Sequence, residues 1–161
     1  MPSLKMNKII NIIRCTLAVF LAASAVACSN KHDNFGNFEP LPEQGWAYND
    51  TIRFITADLD STATPRKLSI GVCHDNDYEY RNLIMEVTYS DINARLYRDT
   101  VNIELADIYG AWLGNGLGPI YQAETTISPA VHLADSGLIT VRHVMRLDTL
   151  RGVKSIGIIA N

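Results

Sequence analysis

The most polar stretch of the chain, Cys73-His74-Asp75-Asn76-Asp77-Tyr78-Glu79-Tyr80, gathers a thiol, an imidazole and three carboxylates within eight residues. Its Asp-x-Asp spacing offers the hard oxygen donors that Ca²⁺ takes. An EF-hand loop counted from Asp75 needs Gly at its sixth position and Glu at its twelfth. Glu86 stands at the second of these places, but Tyr80 stands at the first. Asp and Asn also mark turns, and a hairpin turn capped by their side chains is the expected structure. The four histidines, His32, His74, His132 and His143, show no metal-ligand spacing. His74 is read as part of that turn, and His143 as a satisfied histidine in the inward phase of a strand. Cys73 falls in a strand without a neighbour that would lower its pKa, the setting of an inert thiol. No Gly-x-Ser-x-Gly elbow is present. A pair of glycosidic carboxylates is a spatial arrangement and leaves no spacing to read. The expectation is a protein without catalytic residues, metal or cofactor.

Gly110-Ala111-Trp112-Leu113-Gly114-Asn115-Gly116-Leu117-Gly118-Pro119 places four glycines and a proline in ten residues, which predicts a loop. A phosphate loop would need a Lys and a following helix, and neither is there. The glycines are expected to supply positive φ or close backbone approach, and Trp112 a large apolar surface. Trp112 either plugs an open end of the domain or anchors a partner. The plug is the expected role, because tryptophans in small cores are mostly buried.

The chain that must hold these residues has 161 of them, 47% apolar and 19% charged, which suits one compact domain. A disordered chain would be poorer in apolar residues and more highly charged. Acidic residues outnumber basic ones, 17 to 14, which argues against a nucleic-acid binder. The first 27 residues hold Lys5, Lys8 and Arg14, no acidic residue, and an apolar run from Cys15 to Ala27 broken only by Thr16 and Ser24. A helix of that run is about 20 Å long, too short for a hydrocarbon core of roughly 30 Å. Residues 1–27 therefore read as a secretory signal peptide, with Met6 an equally good start. The run ends in Ala25-Val26-Ala27-Cys28. This resembles the lipobox of bacterial lipoproteins, whose cysteine is diacylated before the signal is cut away just ahead of it. Ala25 stands where that pattern prefers Leu. Ordinary cleavage after Ala27, leaving Cys28 a free thiol, is the alternative.

Without the signal, 134 residues remain with 11 basic and 17 acidic side chains, a formal charge of −6. Cys73 is then the one cysteine besides the lipidated Cys28, so no intramolecular disulfide is expected. Acyl chains gain about 0.8 kcal/mol per buried methylene, and a lipidated Cys28 is a permanent anchor. Residues 28–40, polar and rich in Gly and Asn, read as a flexible tether; the alternative is that Phe35 and Phe38 dock on the domain. Some outer-membrane lipoproteins reach the cell surface through an acidic cluster just after the cysteine. Here Asp33 stands alone, so a periplasm-facing anchor is expected.

Residues 41–161 are read as the folded domain, and from Thr51 onward apolar residues recur at every second position, the period of a half-buried strand. Leu68, Ile70 and Val72 alternate with Ser69 and Gly71; Ile139, Val141, His143, Met145 and Leu147 alternate with polar neighbours and Val144. Strands are also predicted at 51–58, 83–90, 94–98, 101–105, 120–128 and 155–160, with turn residues between them. Residues 147–154 hold a single helical turn at best. Seven or eight short strands predict an antiparallel β-sandwich, with a small β-barrel as the alternative.

Four segments in series resemble the gliding-motility lipoprotein family GldH. They are Leu41-Pro42-Glu43-Gln44-Gly45-Trp46, then Asn76-Asp77-Tyr78-Glu79-Tyr80-Arg81-Asn82-Leu83. Asp99-Thr100-Val101 through Gly114-Asn115-Gly116-Leu117-Gly118 follows, and last Met145-Arg146 with Leu150-Arg151-Gly152-Val153. The resemblance implies an outer-membrane lipoprotein of the machinery that moves surface adhesins, working beside other envelope lipoproteins, with no enzymatic activity. Cys28 is the functional position it carries over.

The leading expectation is thus a non-enzymatic lipoprotein that acts through protein partners and is held to the membrane by Cys28. Its rival is a carbohydrate-binding lipoprotein, with Trp112, Tyr78, Tyr80 and Tyr121 as the candidate contacts for a partner or a glycan. A β-sandwich hosts many functions and does not choose between them. Coplanar, solvent-facing rings would favour sugar; buried rings would favour the scaffold.

Overall fold

The computed structural model describes residues 35–56 and 64–161. The signal segment, Cys28 and the start of the tether lie outside the described residues. Alternating apolar residues build eleven strands: β1 (Phe35–Pro40), β2 (Trp46–Ala47), β3 (Ile52–Thr56), β4 (Arg66–His74), β5 (Asn82–Ser90), β6 (Leu96–Glu104), β7 (Asn115–Leu117), β8 (Ile120–Val131), β9 (Gly137–His143), β10 (Thr149–Leu150) and β11 (Val153–Ala160). Eight of them have five residues or more, and β2, β7 and β10 are short pieces of two or three. No helix occurs among the described residues, and bends lead from β9 into β10 where one helical turn was allowed.

The strands form a five-stranded sheet, β1-β11-β4-β8-β7, a four-stranded sheet, β3-β9-β5-β6, and the ribbon β10-β2. All pairings are antiparallel. Neither large sheet closes on itself, so the fold is the sandwich and not the barrel. Leu68, Ile70, Val72, Ile156 and Ile158 of the first sheet and Phe54, Leu83, Met85, Val87, Ile139 and Val141 of the second belong to one buried core. Burial of each such side chain stabilises by roughly 1.5–3 kcal/mol, and among the described residues no disulfide contributes.

Three differences from the sequence reading have local causes. Residues 35–40, assigned above to the flexible tether, form β1 and pair with β11 from Phe35↔Ala160 to Pro40↔Ser155. The ring of Phe38 explains this, because it lies 2.7 and 2.5 Å from where a Cβ would stand at Gly71 and Gly157. Two glycines on neighbouring strands thus open a seat for one phenylalanine. Second, the segments predicted at 94–98 and 101–105 are one strand, β6. Asp99 sits at a partly buried position between them and accepts a hydrogen bond from the Tyr89 hydroxyl at 2.8 Å. Third, the alternation read through Leu147 ends as a strand at His143, with Met145 and Leu147 packed against the core from a bend.

The strands run between two ends of the sandwich. At one end lie His74, Asn82, Glu104, Ile120 and Val153, joined through Val153↔His74, His74↔Tyr121 and Asn82↔Glu104. At the other lie Ser90, Leu96, Val131, Leu138 and Ala160, joined through the Asp91↔Leu133 bridge and the bond from Ile92 N–H to the His132 carbonyl at 2.9 Å. Nine-residue β5 separates the ends by roughly 26 Å. They are called below the Trp112 end and the Asp91 end.

Candidate functional site

The glycine-rich segment, predicted as a loop, folds as two adjoining hairpins at the Trp112 end. In the first, Ala106 bridges Trp112 and the Leu113 N–H donates to the Leu105 carbonyl at 2.8 Å. Its tip is held from inside: Asp107 Oδ1 accepts from the N–H groups of Tyr109 (2.8 Å) and Ala111 (2.9 Å). In the second, β7 pairs with β8 from Asn115↔Gln122 to Leu117↔Ile120. Gly114 links the two at φ +90°, and a Cβ there would collide with the Gln122 carbonyl oxygen. Positive φ and close approach are both required at that position, as the sequence reading expected.

The stem of the first hairpin lowers Trp112 onto β4. Its indole meets the His74 ring edge-on, with centroids 4.6 Å apart, and its Nε1 donates to Asn76 Oδ1 at 2.9 Å. Tyr121 stacks on His74 at 5.6 Å and 19°. Tyr78 stands 5.8 Å from His74 and also 5.8 Å, edge-on, from Tyr80. The four aromatics singled out from the sequence therefore meet: Trp112, Tyr78 and Tyr121 share the His74 ring, and Tyr80 joins them through Tyr78. Tyr78 is buried, with its hydroxyl donating to the Asn82 carbonyl at 2.8 Å, and burial pushes its pKa well above the phenolic value. Trp112, Tyr80 and Tyr121 are half-buried.

His74 is the residue the sequence reading misplaced. It is the last residue of β4 and fully buried, not part of a turn. The signal was present: Leu68, Ile70 and Val72 set an inward phase whose next position is 74. Its Nδ1 donates to the Asp75 carbonyl at 3.2 Å, and its Nε2 has no partner among the described residues. Burial holds the imidazole below its ordinary pKa, against the opposing pull of Asp75. His143, at the same end, is likewise buried. Its Nε2 lies 3.1 Å from the Trp46 carbonyl, with the Trp46 and Tyr48 rings edge-on to it, and burial lowers its pKa too.

The Asp75–Asp77 turn has the capped form expected. Asp75 Oδ1 accepts from the Asp77 N–H at 3.0 Å and Oδ2 pairs with Lys154 Nζ at 2.6 Å. The Lys154 ammonium and the turn N–H together hold the Asp75 carboxyl below the usual range, although burial opposes them. Both oxygens of Asp75 thus already have partners that a cation would have to displace. No three His, Cys, Asp or Glu side chains converge on a metal position among the described residues.

The rings do not form a platform. Trp112 and Tyr121 are inclined at 42°, Tyr78 and Tyr80 at 74°, and the one stacked pair includes the buried His74. What this end presents outward is the hairpin tip, where Ile108 is 72% and Tyr109 88% exposed.

The segments that carried the family resemblance reach this end from four parts of the chain. Trp46 pairs with Leu150, Gly152 lies against the Tyr78 backbone, and Trp112 bonds Asn76. The profile of the GldH lipoprotein family matches residues 33–159. The chain belongs to the GldH lipoprotein family. It is also 22% identical over 157 residues to the gliding motility lipoprotein GldH homolog of Christiangramia forsetii, covering 90% of this chain and 95% of that relative. All four segments fall within the matched range, which includes every described residue except the last two. Membership makes this a GldH-type motility lipoprotein, and Cys28 lies just outside both the match and the described residues.

Proposed function

We propose that the chain is a non-enzymatic component of the gliding machinery, diacylated at Cys28, held at the outer membrane facing the periplasm, and acting through other envelope lipoproteins. The observation that carries this reading is the Asp107 hairpin: two large apolar side chains displayed on a tip that hydrogen bonds already hold in place. A preorganised loop loses little conformational entropy when it docks, and exposed aromatic and aliphatic anchors are what protein interfaces bury at their centres. Trp112, Tyr78, Tyr80 and Tyr121 support that hairpin from below. They are its foundation, while Ile108 and Tyr109 are its contact. The carbohydrate reading asked for coplanar exposed rings, and these four are packed on one another.

The test is crosslinking and pull-down from the native envelope with wild type and the double variant Ile108→Ser/Tyr109→Ser. Motility lipoproteins that co-purify with wild type and not with the folded variant support the reading. Equal capture by both sinks the hairpin as the contact. The anchor is tested separately: Cys28→Ala should leave the membrane fraction and lose complementation, and a soluble variant that complements fully would overturn it.

A further inference from the structure

The Asp91 end carries a second set of exposed aliphatic side chains. The registers Ile55↔Leu138 and Ser90↔Leu96, with the β5–β9 register continued from Thr88↔Thr140, place Ile55, Leu138 and Leu96 in one row across the outer face of the four-stranded sheet. Their exposures are 62, 49 and 66%, and Ile92 in the adjoining turn is 45% exposed. Arg53 and Arg98 flank this row from the next one, and Arg95 and Lys67 stand in exposed positions at the same end. Among the described residues the carboxylates nearby are Glu86, Asp91, Asp99 and Asp135; Glu86 lies 3.9 Å from Arg98, whose side chain stays 64% exposed, and 2.9 Å from Arg142. Asp91 caps its own turn through the N–H groups of Asn93 and Arg95, and Asp99 accepts from Tyr89.

The path of the chain says what covers this end. β1 begins there, because Phe35 pairs with Ala160 and Ala160 with Leu68. Six residues separate Phe35 from Cys28, so seven Cα–Cα steps give a reach of at most about 25 Å. We infer that the Asp91 end rests on the phospholipid surface, with Ile55, Ile92, Leu96 and Leu138 at the acyl boundary and Arg53, Arg95, Arg98 and Lys67 at the headgroup phosphates. This rests on the lipidation of Cys28 proposed above. Aliphatic side chains rimmed by basic ones are the composition of an interfacial membrane contact. The short tether brings the bilayer within reach of this end before any other part of the domain. The Trp112 end, some 26 Å further along the strands, is thereby turned away from the membrane and toward partners.

The test uses the lipidated full-length protein in vesicles of phosphatidylethanolamine doped with phosphatidylglycerol, with brominated acyl chains as quenchers. Both native tryptophans, Trp46 and Trp112, belong to the other end and serve as internal controls. Leu96→Trp adds a reporter at the exposed row, and Tyr109→Trp adds one at the hairpin tip. The expected result is quenching of the new fluorescence in Leu96→Trp and none in Tyr109→Trp. Quenching of neither, of both equally, or of the hairpin reporter alone overturns the inference. Mass spectrometry of Cys28 keeps the two readings apart. Lipid on Cys28 with Leu96→Trp unquenched removes the membrane face alone. Unmodified Cys28 removes the anchor, and quenching of Leu96→Trp in that chain would show a membrane face that stands without it. A photocrosslinker at position 138 that captures protein instead of lipid also overturns the assignment.

Discussion

The two ends of the sandwich are closed by different chemistry. At the Trp112 end the seal is a packed set of rings, in which Trp112, Tyr78 and Tyr121 surround a buried His74 and Trp46 and Tyr48 flank a buried His143. At the Asp91 end there is one stacked pair, Tyr89 and Tyr97, and the seal over it is made by hydrogen-bonded turns. Thr56 Oγ1 donates to the Ala134 carbonyl at 2.7 Å, and Asp91 gathers the N–H groups of its own turn. The difference separates stability from display. Where packing seals the end, apolar side chains are needed for the fold. Where turns seal it, the aliphatics left outside are free to serve something else.

The largest expected effect breaks the packed end. Trp112→Ala uncovers His74 and leaves Asn76 Oδ1 without its donor, and should cost about 3 kcal/mol, the low end for tryptophan because the ring is half-buried. Urea denaturation measures it; a loss below about 1 kcal/mol would mean that Trp112 is a displayed side chain and not a plug.

A pH titration of stability sharpens the same contrast, since both buried histidines stand at the Trp112 end. Burial holds each below 6.5 in the folded chain, so the unfolded chain binds protons that the folded one refuses. Stability is then complete above pH 6.5 and falls as pH drops below it, with a slope of at most about 1.4 kcal/mol per pH unit per histidine. Thermal melts between neutral pH and the carboxylate range should show the fall, and His74→Phe should reduce it. A flat profile would contradict the burial of both rings.

Smaller effects belong to the other end. Thr56→Val keeps the shape of a fully buried side chain and removes its hydroxyl, and should cost about 1 kcal/mol by chemical denaturation. The smallest are Ile55→Ser and Leu96→Ser, which should leave the denaturation midpoint within about 0.5 kcal/mol of wild type. A larger loss in either would mean that the exposed row is structural after all.

Much of this molecule was legible from its residues, because alternation is a local signal. The strands at 52–56, 82–90, 137–143 and 153–160 follow directly from it, as does the sandwich. The aromatic set was also legible as a set, although its members come from three separate segments, because each ring stands beside a recognisable turn or glycine cluster. What failed to show were arrangements fixed by distant partners. Docking of Phe38 was readable only as the alternative to a tether, because β1 depends on the room left by Gly71 and Gly157, and neither glycine is marked by its neighbours. Asp99, paired with Val87, interrupts the apolar pattern of β6 only until the hydroxyl of the diagonal neighbour Tyr89 is seen to reach it. His74 was hidden for another reason: its inward phase was readable, but the Asp and Asn that follow drew it into the turn.

The placement of β1 has a mechanical consequence. Its first residue is at the Asp91 end, while the hairpin tip is at the far end of the same strands. A pull between a membrane anchor and a partner on that hairpin would run along the strand axis. The hydrogen bonds of an antiparallel pair lie perpendicular to that axis. Six paired positions, from Phe35↔Ala160 to Pro40↔Ser155, would therefore carry the load together in shear instead of opening one after another like a zip.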